Sequence, residues 1–508
     1  MTADRKPSAV DRALRIFTDV RPGESGTALL LTLNVFLLLT AYYVIKPVRE
    51  ALILSGGGAE VKSYAAAGQA LLLLGAVPLY SSLAGRLPRR RLINIVTLFF
   101  TGCLVAFYLL AQLKLPLGVV FFLWVGIFNL MVVAQFWSFA NDVYTTDEGK
   151  RLFPIVAFGA SAGAVLGSYM TGQLIGPLGV YQLLLVAAGL LVAGLVVTNS
   201  VDARERRRTE AARGLEESTA ALPAATKEVR LESGEFKLAD LRKELESSKP
   251  GAAPPPALTP APAPAPSDGR LAAGGNAFKL VLGNRYLLLI ALLMLFLNWV
   301  NTTGEYILGR TVAKAAADAV AAGTAGGLDE KAFIGKFYSD FFSVVNLAGL
   351  LLQLFAVSRI LKFAGVRVAI LVLPAIALVG YGILAFVPIL AAVRWAKTAE
   401  NATDYSLQNT VRNVLFLPTT REEKYKAKQA IDSFFVRAGD VLSAGLVFVG
   451  TSLLPLQTQQ FAVVNLALVV VWLALAVMIG REYKRVSAEA AATAATATAA
   501  TTAGATTA

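Results

Sequence analysis

The chain contains no histidine and a single cysteine, Cys103. These absences exclude Ser-His-Asp and Cys-His catalytic triads, His-ligated zinc or haem, CxxC redox pairs and internal disulfides. Charge is scarce as well: Asp, Glu, Lys and Arg make up 16% of the 508 residues against 56% hydrophobic residues, a balance well to the apolar side of a soluble domain. Without histidine, no side chain titrates near neutral pH at its ordinary pKa, so any proton coupling would fall to a buried carboxylate. What is present is a basic excess, 47 Lys plus Arg against 34 Asp plus Glu, for a formal charge of +13. In a soluble chain that excess would point to nucleic acid; its placement here predicts another use.

Apolar runs of about 20 residues, the helical length that crosses roughly 30 Å of hydrocarbon, recur along the chain. Twelve can be read: 27–48, 64–85, 92–113, 117–142, 153–175 and 180–199, then, after a polar gap, 285–309, 337–358, 366–388, 389–413, 428–452 and 460–480. The tenth holds Arg394, Lys397, Glu400 and Asp404, so a hydropathy window alone scores it poorly. Basic clusters precede span one (Arg12, Arg15, Arg21), join spans two and three (Arg86, Arg89, Arg90, Arg91), and follow spans four, eight, ten and twelve. All fall on one side of a twelve-span model, so the positive-inside rule predicts cytoplasmic termini. The expected class is an all-α membrane protein, twelve transmembrane helices in two six-helix halves, in a cell (inner) membrane. No cleavable signal peptide is evident before span one.

Five segments follow: a cytoplasmic N-terminal segment 1–26, a first membrane half 27–199, a disordered cytoplasmic linker 200–276, a second half 277–485 and a disordered Ala/Thr tail 486–508. The linker opens on Arg204, Arg206, Arg207 and Arg208 and carries PPPALTPAPAPAP, which cannot build a core. Amphipathic stretches are expected at 227–245 and, along the membrane surface, at 9–17. A faint repeat relates the halves: Thr145-Thr146-Asp147-Glu148 matches Thr419-Thr420-Arg421-Glu422, and Ala162-Gly163-Ala164 matches Ala438-Gly439-Asp440. Two parallel six-span halves around a long central loop describe the major-facilitator architecture, with cargo held between the halves near mid-membrane.

A charge inside a bilayer costs at least a few kcal/mol unless paired or facing water, so intramembrane charges are the candidate site. Lys46, Arg49 and Glu50 share one face at the end of span one, beside Tyr43 and the helix-loosening Pro47. Span ten draws a polar stripe, Arg394, Lys397, Asn401, Asp404 and Gln408, that cannot face lipid. Span seven adds Asn298, Asn301 and Glu305; span four adds Gln135, Asn141 and Asp142; span eleven adds Arg437, which can pair with Asp440. Lys46, Arg49, Arg394 and Lys397 together would make a cationic midplane site, suited to a multiply charged anion such as a phosphate. GGGAEVKS at 56–63 imitates a P-loop, but Val61 stands where the second glycine belongs and no strand precedes it, so an external turn is expected. Gly159, Gly163 and Gly167 form a ladder that would let another helix approach closely.

At these residues the chain resembles the ATP/ADP translocase family of plastids and bacteria. The likeness rests on Tyr43, Lys46, Arg49-Glu50 (where the family has Lys-Asp), Leu52-Ile53-Leu54 and Gly58-Ala59-Glu60, on Gln135 to Asp142, and on Glu305. The aromatic-Lys ending of that family after the span-seven acid is absent, Arg310 being the nearest base. The resemblance implies twelve spans and exchange of ATP for ADP, the span-one bases and Glu305 contributing to transport. No enzyme activity, cofactor, metal, nucleic acid or protein partner is expected, only the bilayer and the cargo. Two other readings stand: proton-coupled transport of another organic or phosphorylated anion, with Glu305 or Asp404 titrating, and a membrane scaffold or sensor whose 200–276 loop recruits a partner.

Overall fold

The computed structural model describes residues 20, 21, 24–220, 274–420 and 423–506. The expected amphipathic stretches at 9–17 and 227–245 and the Pro/Ala run lie outside the described residues. Within them the chain is helical, as hydrocarbon demands: a helix satisfies its own backbone hydrogen bonds where no water can. The helices are α1 Ser25–Arg86, α2 Arg89–Gln112, α3 Gly118–Val143, α4 Thr146–Leu178 and α5 Gln182–Ala220, then α6 Gly274–Gly283, α7 Arg285–Ala321, α8 Glu330–Phe355, α9 Val357–Phe363 and α10 Gly365–Phe386. Span ten is α11 Leu390–Thr403, a π-helical turn Asp404–Gln408 and α12 Asn409–Val414. Span eleven joins α13 Lys428–Ala430 and α14 Val436–Phe448 through a π turn at Ile431–Phe435, and α15 Thr458–Thr506 closes the chain.

Ten of these helices are long and apolar enough to cross a membrane. The shortfall from twelve has two causes. Spans one and two are counted as one because α1 runs through both, but it breaks at Gly58 (φ 75°, ψ −177°). Lys62 Nζ lies 2.7 Å from Glu50 Oε2; along an unbroken helix those residues would stand about 18 Å apart, so the chain folds back there as the expected turn. Span ten is uncounted because of its own charges and its π turn.

Two segments differ from expectation. Helix α5 continues to Ala220, well into the predicted linker, and α15 continues to Thr506, through the predicted disordered tail. The second extension is rich in Ala, the best helix former; the first combines Ala with the good helix formers Arg and Glu and adds an i,i+4 pair of Asp202 with Arg206 at 2.9 Å. The chain divides into two compact bodies, Met1–Val197 with Leu271–Ala508, and Thr198–Arg270.

Within the larger body the repeat becomes packing. On α4, a methyl group added at Gly163 or Gly167 would run into the carbonyls of Phe36 and Thr40 on α1, and at Gly159 into Thr32. On α14, one added at Gly439 would lie 2.9 Å from the Leu295 carbonyl oxygen of α7. Helix starts match too. Thr145 and Glu148 form a capping box, the Thr145 amide donating to Glu148 Oε2 at 2.9 Å and the Glu148 amide to Thr145 Oγ1 at 3.4 Å. Thr420 and Glu423 repeat it at 2.9 and 3.3 Å. The structural partner of Thr145 is therefore Thr420, one residue on from the match read in sequence, because the cap needs its acid three residues later.

The bundle has two ends. One, the terminal face, gathers the α1 start, where Arg151 forks Glu24 with two bonds of 2.9 Å, and the α7 start, where Asn284 donates to Glu423 Oε1 at 2.8 Å. The other, the hairpin face, carries the Gly58 reversal and the α4–α5 and α7–α8 connections, where Lys331 donates to the Tyr181 hydroxyl at 2.8 Å.

Candidate functional site

The last turns of the first arm of α1 bring Tyr43, Lys46, Arg49 and Glu50 against α8 and span ten. Lys46 is 8% exposed. Its ammonium sits 3.9 Å from the Phe342 ring centre, 5.2 Å from Tyr43 and 5.6 Å from Tyr405, with the Tyr405 hydroxyl at 3.4 Å. Among the described residues no carboxylate comes within ion-pair distance of it. The rings offer their negative faces in place of water.

One turn on, a ladder of alternating charge crosses between the halves. Arg49 grips Glu50 Oε1, and Lys62 lies 2.7 Å from Glu50 Oε2 and 3.6 Å from Glu305 Oε2. Lys397 stands 3.6 Å from Glu305 Oε1 and 3.1 Å from Glu400 Oε1, and the Tyr381 hydroxyl donates to Glu400 Oε2 at 2.8 Å. Asn301 accepts from Lys397 at 2.9 Å, and Asn401 donates to Glu305 at 3.2 Å. Gly304 makes room, since a methyl group there would collide with the Tyr381 hydroxyl. The rungs Arg49, Glu50, Lys62, Glu305, Lys397 and Glu400 sum to zero charge. Burying these ions is tolerable only as a complete set, because each loses its water and is repaid by its neighbours.

Arg394 stands outside this ladder. Its guanidinium lies over Phe337 at 5.7 Å and Trp395 at 6.0 Å, with no carboxylate in ion-pair range among the described residues. Helix α8 thus meets three cations with one aromatic run: Phe337 takes Arg394, Tyr338 takes Lys62 at 5.4 Å, and Phe342 takes Lys46.

The structure gathers Tyr43, Lys46, Arg49, Glu50, Asn301, Glu305, Arg394 and Lys397 of the predicted set. Asp404 begins the π turn, half-buried, with no cation in ion-pair range among the described residues. Asn141 and Asp142 are not brought there: both are exposed at the terminal end of α3, and Asp142 faces Arg89 at 3.5 Å. Arg437 pairs with Asp440 at 3.3 Å, whose Oδ1 is also held by Asn298 and Thr302 at 2.8 Å each. That cluster joins α7 to α14 within the second half. Lys62, read in sequence as part of an external turn, is 7% exposed and central to the ladder. Tyr338 and Tyr381 also escaped the sequence reading; four aromatics within Phe337 to Phe342 were the available signal.

Further contacts between the halves flank this level, that of Asn346 on its terminal side and those of Lys336 and Tyr306 toward the hairpin face. Ser339 donates to the Ser168 carbonyl, Asn346 to the Ala164 carbonyl at 3.3 Å, Lys336 to the Gly172 carbonyl at 3.5 Å and Tyr306 to Glu60 at 2.9 Å. A cavity of about 470 Å³ lies at that face, lined by Ser55, Gly57, Leu117, Tyr181 and Lys331 among others.

No protein-family model and no curated protein matches the chain. Solved structures do. The nucleoside transporter NupG aligns over 91% of this chain and 98% of its own at 11% identity, TM-score 0.55. The peptide transporter POT, in complex with sulfate, aligns over 91% and 95% at 13% identity, TM-score 0.57. A bacterial homolog of the human lysosomal transporter Spinster, inward-facing and unoccupied, aligns over 92% and 99% at 13% identity, TM-score 0.53. Such likeness carries the fold: this chain is a multi-pass α-helical membrane protein of major-facilitator-like architecture.

Proposed function

We propose that the chain is a transporter that carries a multiply charged organic anion by rocking its two halves around the charge ladder, adenine nucleotide exchange (ATP for ADP) being the specific activity. The observation that carries this reading is two cations with no acid in ion-pair range among the described residues, one on each side of the ladder: Lys46 from the first half toward the terminal face and Arg394 from the second toward the hairpin face, each against aromatic rings of α8. A phosphorylated cargo would supply the missing countercharge of each in turn as it passed the ladder, and Tyr405, 43% exposed beside Lys46, offers a ring for a base to stack on. The neutral ladder would separate the halves reversibly because every rung ion has a partner on its own side: Lys62 keeps Glu50, and Glu305 keeps Lys397. Close approaches of the halves toward the hairpin face, Gly335 against Ile175 and Gly309 against Leu54, suit a state closed on that side. In this mechanism the protein binds, orients and re-exposes cargo without covalent chemistry.

The test is uptake of labelled ATP into proteoliposomes loaded with ADP, with Lys46→Ala and Arg394→Ala. Each variant should lose at least about tenfold in uptake, the scale of a lost charge-assisted hydrogen bond. Unchanged uptake in both would sink the site assignment. Asp404 favours a second reading, proton-coupled transport of another organic or phosphorylated anion, since its carboxylate lacks a cation in ion-pair range. Uptake that collapses with a protonophore and ignores internal nucleotide would select it.

A further inference from the structure

Between α10 and α15 at the terminal face lies a groove of about 350 Å³ in which no lining residue is acidic. Arg367, in the first turn of α10, and Arg481, where the apolar run of α15 ends, stand at its mouth. Neither has an ion-pair partner among the described residues. The acid next along the chain, Glu482, is engaged by Arg485. Away from the mouth the walls turn apolar: Val368, Leu371 and Val477, with Val368 49% and Val477 38% exposed. At Gly480 the two helices are in ordinary contact, a methyl there falling 3.8 Å from the Arg367 stem. Beside the groove, Phe363 on α9 is 78% exposed.

We infer that this groove seats an anionic phospholipid, its headgroup phosphate held by Arg367 and Arg481 and an acyl chain laid along Val368, Leu371 and Val477. Guanidinium forks match phosphate oxygens in pairs. Both arginines stand at helix positions where a span leaves hydrocarbon for headgroups, the depth of a lipid phosphate. A soluble phosphate would satisfy the arginines but leave the apolar wall bare, and a zwitterionic lipid would offer the arginines no net countercharge.

The experiment uses the full-length protein in detergent, titrated with short-chain phosphatidylglycerol, phosphatidylcholine or inorganic phosphate, read by native mass spectrometry of retained lipid and by thermal stability. Phosphatidylglycerol should be retained and raise the apparent Tm, whereas phosphatidylcholine and inorganic phosphate should do neither. Arg367→Gln with Arg481→Gln should weaken phosphatidylglycerol retention about tenfold or more and leave the lipid-free Tm in place, both side chains being exposed. Arg359→Gln with Lys362→Gln, on neighbouring α9 outside the groove, should retain it. Equal loss in both double variants would mean diffuse surface attraction and overturn the site. So would equal retention of phosphatidylcholine, or a Tm rise with inorganic phosphate alone.

Discussion

The two halves solve one packing problem with different backbones. In the first, α4 runs as a single helix from Thr146 to Leu178 and lays Gly159, Gly163 and Gly167 on α1. In the second, the matching strip passes through π turns at Glu423–Ala427 and Ile431–Phe435 before Gly439 reaches α7, and span ten carries another at Asp404–Gln408. A π turn inserts one extra residue, shifts every later side chain around the helix and occurs often at functional positions. The charged stripe of span ten enters its π turn at Asp404, four residues after Glu400. Both halves place charges in the gap, the first through the Gly58 reversal that carries Lys62 back to Glu50 and the second through a span whose polar stripe runs into a π turn.

The sharpest way to break this comparison is to fill the close approaches. Gly163→Leu and Gly439→Leu should each cost more than about 3 kcal/mol by overpacking backbone against backbone, seen as loss of the monodisperse peak in size-exclusion chromatography. Tolerance at Gly439 alone would mean the bulged half can yield. Next come the two buried lysines. Lys397→Met leaves Glu400 without a cation and Glu305 with Lys62 alone, and should destabilise by about 3–5 kcal/mol, whereas Lys46→Met, which breaks no ion pair, should leave thermal stability nearly unchanged while abolishing transport. Similar melting losses in both would erase the distinction between ladder and site.

Smaller effects test the register of the repeat. Thr145→Ala and Thr420→Ala should each cost about 1 kcal/mol as lost caps, measured by denaturant titration, and Thr419→Ala much less, its hydroxyl only returning to the Phe416 carbonyl at 2.8 Å. The smallest concerns acid. Burial alone would raise the pKa of Glu24, but the hydrogen bond and charge of Arg151, with the Arg21 amide, hold it below the usual carboxylate value. A depressed folded pKa means stabilisation that is present above about pH 4.3, the unfolded value, and is lost as pH falls through the folded one. Arg151→Met should remove that acid sensitivity from the first half, and the melting temperature followed across that pH range would show it.

Much of the fold was legible because hydropathy and positive charge are written along the chain, residue by residue. The span boundaries at 27–48 and 92–113 needed nothing but composition, and even the weak span ten could be kept because its charges repeat at helical spacing. The candidate site was legible in part. Lys46, Arg49, Glu50, Glu305, Arg394 and Lys397 stood out as charges where hydrocarbon forbids them. Lys62 did not, because its sequence neighbours are glycines that read as a turn, and only the reversal at Gly58 carries it back to Glu50. Asn141 and Asp142 misled for the opposite reason: they follow an apolar run closely, yet sit just past the depth that matters.

The sequence alone determined the class of molecule, for apolar length and basic punctuation act through the solvent and need no partner. It also determined where helices can touch, since small residues at four-residue spacing admit only close approach. Which charge meets which was decided by tertiary structure. Ion pairs depend on distances of a few ångströms between residues as far apart in the chain as Lys62 and Glu305, or Glu305 and Lys397. That Lys46 and Arg394 meet no acid in ion-pair range among the described residues is a property of that arrangement, since pairing depends on where the fold places the acids.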